Sequence, residues 1–146
     1  MQTGTTTDTT TLNSLLRGEM AAIETYRQAL EKVGDEPGVD ELRTMRRDHR
    51  DAADALWHFI GQQGERPAEG SGAWGAFAKA VTASASLFGN AAALKALKEG
   101  EEHGLKQYRD ALGDPHLPAA CRDLFHTYMT KQQGHIAALD RLLARL

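Results

Sequence analysis

Apolar residues recur every three or four positions along most of this chain, with polar residues between them. From about Leu12 to Val33 the spacing predicts a first helix, with Leu12, Leu15, Leu16, Ala22, Ile23, Tyr26, Ala29 and Leu30 on one face. Gly34, Pro37 and Gly38 break it. Asp40 is suited to cap a second helix, whose inner face reads Leu42, Met45, His49, Ala52, Leu56 and Phe59 and fades over residues 61–64. The loop GERPAEGSG follows, then a short small-residue-rich helix over Ala73–Phe88, then a break at Gly89 and Asn90. A third long helix starts near Ala91 and carries Leu94, Leu97, Glu101, Gly104, Leu105, Tyr108 and Leu112. After the turn GDPHLP, with Pro118 suited to a first helical position, the last helix shows Cys121, Leu124, Phe125, Tyr128, Gln132, His135, Ala138 and Leu142. The expected fold is all-α: a four-helix bundle of two helical hairpins joined by a long crossover that contains a short helix.

The ends and the bulk composition add little to this pattern and exclude several alternatives. Residues 1–10, MQTGTTTDTT, read as a disordered tail ending in a cap at Thr10 or Thr11, so the bundle is expected over residues 11–146. A chain of 146 residues suits one core. A net charge of −3 gives no electrostatic case for nucleic acid. No run approaches the roughly 20 apolar residues that span a bilayer, and the N-terminus lacks a signal peptide's charged and apolar regions. Cys121 is the one cysteine, which fits a reducing, cytoplasmic setting.

The two halves repeat. GEMAAIETYRQAL (18–30) aligns with GEEHGLKQYRDAL (100–112), sharing Gly, Glu, Tyr, Arg, Ala and Leu. HRDAADAL at His49 aligns more weakly with HIAALDRL at His135. Two copies of one helix pair, related by a pseudo-twofold axis, are the expected arrangement. Each copy then puts one Glu and one His among apolar residues: Glu19 and His49 in the first, Glu101 and His135 in the second. A buried carboxylate is costly unless it is paired or binds a metal. Two carboxylates and two imidazoles suit Fe, Zn or Mn.

On these residues the chain resembles the ferritin superfamily, whose di-iron members use one Glu from each of two helices and Glu-x-x-His from the other two. The run QQGHIAALDRL is similar to the bacterioferritin fourth-helix motif, which carries Glu-Glu-Gly-His-Ile, and Glu19 with Tyr26 resembles the first helix of that family. The small size and the crossover helix look more like small bacterial ferritin-like bundles of unknown function than like cage-forming ferritins. The departures carry as much information. Arg46 stands three residues before His49, and Gln132 three before His135, where the family motif has bridging glutamates. At an effective dielectric of ~20, a guanidinium ~5 Å from a divalent ion is repelled by roughly 7 kcal/mol. Arg46 is instead suited to pair with Glu19 or Glu101, with Gln132 satisfying remaining donors and acceptors.

Tyr26 and Tyr108 each follow their Glu by seven residues and are expected in the core with a bonded hydroxyl. His58, His103, His116 and His126 are expected at the surface, as are Arg43, Arg47 and Arg50, which alternate with Asp48, Asp51 and Asp54. The resulting expectation is a non-catalytic bundle with a polar core or a single divalent ion on Glu19, His49, Glu101 and His135, and with Arg46, Gln132, Tyr26 and Tyr108 around them. The alternative is a di-iron or di-manganese carboxylate oxidase or iron-handling protein. Trp74, Phe77, Val81, Leu87 and Phe88 in the crossover make an apolar patch that favours a homodimer.

Overall fold

The computed structural model describes residues 3–33, 38–70 and 91–146. Four helices run through them: α1 Thr3–Val33, α2 Val39–Gln62, α3 Ala91–Leu112 and α4 Ala119–Ala144. No strand occurs among the described residues. Contacts concentrate within the hairpins α1–α2 and α3–α4, with sparser contacts between α1 and α3 and between α2 and α4. In cross-section the helices therefore stand at the corners of a square, with α1 diagonal to α4 and α2 diagonal to α3. This is the four-helix bundle that the three-four apolar spacing predicts. The expected helix at Ala73–Phe88, and with it the apolar patch from Trp74 to Phe88, lies outside the described residues.

Three boundaries differ from the sequence-based reading. Helix α1 begins at Thr3, ahead of the expected cap at Thr10 or Thr11, so residues 3–10 are helical rather than an irregular tail. Thr9 is buried, and tertiary contact of this kind outweighs the weak helix propensity of a threonine run. Helix α2 starts at Val39 after Gly38, whose φ of 100° only glycine adopts readily, and no side chain caps it. Asp40 sits inside the first turn, where its charge favours the helix dipole. Pro118 holds the position just before α4, with φ −58° and ψ 147°, rather than the first helical one.

The core divides into two apolar clusters. One gathers Tyr26, Leu42, Met45, Leu94, Leu97, Leu139 and Leu142. The other gathers Leu12, Leu16, Leu56, Ile60, Tyr108, Cys121 and Phe125. On every helix a buried polar residue separates the two sets: Glu19 on α1, His49 on α2, Glu101 on α3, and Gln132 and His135 on α4. The bundle is thus two apolar blocks with a polar layer between them. Phe125 is fully buried and meets the Tyr108 ring edge-on at 5.3 Å. Phe125→Ala should lower stability by about 3–5 kcal/mol, through lost burial and the cavity left behind. Urea unfolding followed by circular dichroism measures this, and a loss under 1 kcal/mol would mean that this block is loosely packed.

Candidate metal centre

The polar layer is built around one ring. His49 Nδ1 lies 2.5 Å from Glu19 Oε1, and His49 Nε2 lies 2.7 Å from Glu101 Oε2. All three side chains are buried. The imidazole therefore bridges the two carboxylates, crossing the diagonal from α2 to α3. The second oxygen of Glu19 accepts from the Tyr108 hydroxyl at 2.6 Å, and Glu101 Oε2 accepts from the Tyr26 hydroxyl at 2.6 Å. Each tyrosine thus serves the glutamate of the other repeat. The helical spacing places each Tyr two turns beyond its own Glu, so the bond forms only where α1 and α3 lie side by side.

His135 extends the network toward the surface. Its Nδ1 lies 3.1 Å from Glu101 Oε1 and its Nε2 lies 2.8 Å from Asp48 Oδ2. Asp48 is partly exposed and has Lys131 Nζ at 3.5 Å. The rings of His49 and His135 stand 5.1 Å apart, and Tyr26 stacks on His49 at 5.7 Å. All four helices contribute, and the buried carboxylates and imidazoles find partners as burial requires.

Electrostatics follow from this geometry. Burial works against a charged His49, but Glu101 and Glu19 outweigh it and raise its pKa well above the usual 6.5. Burial alone would raise the pKa of Glu101; the charge of His49 and hydrogen bonds from His135 and His49 hold it well below the usual carboxylate range. Desolvation, reinforced by the neighbouring glutamates, pushes both tyrosines upward, so each remains a neutral donor. The centre of the layer is a carboxylate–imidazolium–carboxylate bridge with a phenol at each end.

Not every expected site residue meets the others. His49, Glu101 and His135 bring ligand atoms within 4.8 Å of one another, a group that could hold a metal ion. Glu19 falls outside it, because its oxygen faces the far nitrogen of His49. Arg46 makes no ion pair with Glu19 or Glu101 among the described residues, and its buried Nε has no hydrogen-bond partner. His49 takes the place expected for the guanidinium. Gln132 is buried, but its Oε1 likewise has no partner. The alternation of Asp48 with arginines predicts a solvated residue, whereas it faces His135 Nε2. The missed signal is its position three residues after Met45 and four before Ala52, at the margin of the apolar stripe. His58, His103, His116 and His126 are exposed, as expected.

Fold and polar layer together define a ferritin-like four-helix bundle, and comparison with solved structures agrees. Similar structures include a conserved hypothetical protein, rv2844, from Mycobacterium tuberculosis (TM-score 0.81, 18% identity, covering 99% of this chain and 95% of that one). Another is a ferritin-like, diiron-carboxylate protein from Bacillus anthracis (TM-score 0.77, 19% identity, 98% and 99%). A third is the bacterioferritin-related dodecameric thioferritin of Bacteroides fragilis (TM-score 0.76, 15% identity, 96% and 86%). At these identities the likeness is one of fold. A search of curated proteins gives no significant match. Residues 7–114 match the family model described as Domain of unknown function (DUF2383), and the chain belongs to that family.

Because the folded-state pKa of His49 lies above its unfolded value of 6.5, its contribution is full below 6.5 and is lost as pH rises through the folded value. Glu101, lowered from 4.5, contributes above 4.5 and is lost on acidification. Urea midpoints measured against pH should be highest between 4.5 and 6.5, and a midpoint still rising from pH 7 to 9 would contradict this. Arg46→Met should change stability by no more than about 1 kcal/mol, since it removes an unsatisfied buried donor rather than a partner. A cost of about 3–5 kcal/mol by the same assay would restore the buried-pair role.

Proposed function

We propose that this chain is a non-catalytic ferritin-like bundle whose polar core holds at most one divalent ion, Fe, Zn or Mn. The observation that carries this reading is the buried group of His49, Glu101 and His135, with ligand atoms within 4.8 Å. The ring nitrogens facing Glu101 and one Glu101 oxygen would hold the ion. Asp48, on the far nitrogen of His135, would orient that ring, as a carboxylate commonly does for a ligating histidine. An ion held there would supply positive charge to offset the Glu101 carboxylate.

A two-metal centre does not fit these residues. The positions that would carry bridging glutamates hold Arg46 and Gln132, and the carboxylates among the described core residues are Glu19, Glu101 and the half-buried Asp48. Two divalent ions bring four positive charges against these three. For assembly, the sequence of the crossover, with Trp74 and Phe77, supports a homodimer, and no described helix is long and apolar enough to cross a membrane. The thioferritin of Bacteroides fragilis is a dodecamer, so larger assemblies exist on this fold.

Metal analysis after anaerobic loading with Fe²⁺ or Mn²⁺ and desalting tests the reading. Wild type should retain no more than one ion per chain. Arg46→Glu with Gln132→Glu restores the four-glutamate, two-histidine set and should retain two, while losing stability without metal. Wild type that takes up two iron ions, with a ferroxidase burst in air, would establish the oxidase alternative.

A further inference from the structure

Between α1 and α3 lies a cavity of about 50 Å³, with Gly18 and Ala22 on one side and Gly100 and Gly104 on the other. Repeat positions face each other across it: Gly18 and Gly100 align, as do Ala22 and Gly104. Gln132 also lines it, and this residue breaks the symmetry. Its side chain is 4% exposed, and its Oε1 is a buried acceptor without a donor. A β-carbon on Gly104 would lie 2.6 Å from Gln132 Nε2, so the amide keeps its place because residue 104 is glycine. In the other copy, Ala22 and Arg46 occupy the matching positions, and Arg46 does not line the cavity.

We propose that this cavity binds a small neutral organic molecule bearing a hydroxyl donor, with Gln132 Oε1 as its acceptor. The neighbouring charges decide against an ion. Glu19 and Glu101 also line the cavity, which disfavours an anion. Each of them already accepts from a tyrosine hydroxyl and faces His49, which leaves the amide carbonyl as the unsatisfied acceptor. Size narrows the class. A cavity of roughly 150 Å³ holds benzene, so ~50 Å³ suits a molecule of about two heavy atoms. The small, mainly apolar wall suits a short body beside one polar group, the combination that methanol offers. The wall shares His49 and Glu101 with the proposed ion group, but the acceptor is the Gln132 amide, which is not one of that group's residues.

Methanol is the probe, used on the full chain with EDTA present so that ion binding does not enter. Crystals soaked in methanol should show it in the cavity with its oxygen in hydrogen-bond reach of Gln132 Oε1. Chemical-shift titration should saturate for wild type. Gln132→Met keeps the length and removes the acceptor, and should weaken binding about five- to tenfold, the worth of one neutral hydrogen bond. Gly104→Ala, which displaces the amide, should weaken it as well, and circular dichroism shows which variant is folded. Water alone in the cavity, a cation on Gln132 Oε1, or a folded variant that binds methanol as wild type does would each overturn the proposal.

Discussion

The architecture rests on the need to neutralise two carboxylates in the middle of a helical core. Glu19 and Glu101 are each 3% exposed, and an isolated buried carboxylate costs several kcal/mol. His49 meets both at once, one through each ring nitrogen. That requires α2 to place a single ring on the bundle axis and α1 and α3 to bring their glutamates to it from opposite sides. The tyrosine hydroxyls donate to the same two carboxylates, Tyr108 to Glu19 and Tyr26 to Glu101, which ties α1 to α3 where helix–helix contact is sparse. The apolar clusters above and below supply the burial, and the layer between them fixes the register of the four helices.

Duplication explains why so few residue types achieve this. The strongly repeated segment supplies Glu and Tyr twice, and the pseudo-twofold relation makes each tyrosine reach the other copy's glutamate. The histidine helices repeat less well, and the network is asymmetric where they enter. His49 lies between Glu19 and Glu101, while His135 lies between Glu101 and Asp48, nearer the surface. Glu101 consequently meets two rings and Glu19 one. The three-residue group that could hold an ion is centred on Glu101 for that reason.

The fold was legible because apolar periodicity and the glycine and proline breaks act locally and agree along the whole chain. The identities of the buried polar residues were legible too, since a Glu or His inside an apolar stripe has few places to go. Their partners were not. Arg46 has a long side chain whose direction the sequence does not fix, and His49 rather than Arg46 bridges the two core glutamates. Asp48 sits at the edge of its stripe, where periodicity cannot tell a solvated residue from one turned toward α4. The start of α1 was misplaced because propensity ranks threonine low, while burial of Thr9 depends on packing that no local rule contains. The pairing of Gly104 with Gln132 joins two helices and has no signature in either segment alone.

The two positions where this chain departs from the di-iron pattern are also the two described residues with buried, unpartnered side-chain polar atoms, Arg46 Nε and Gln132 Oε1. A polar network refined only to replace a metal would be expected to satisfy such atoms, because each orphan costs about 1–3 kcal/mol. The replacements have instead left the compensation to His49, a residue the metal-binding pattern already contains. Neutralisation by an imidazolium and neutralisation by a cation are thus alternatives at the same carboxylate, competing for the same ring nitrogens. A proton on His49 Nε2 and an ion on it exclude one another, so the interactions that raise the pKa of this ring also work against an ion at that nitrogen. The hydrogen-bonded layer that makes the ion-free bundle stable is for that reason the main energetic opponent of any ion that enters it.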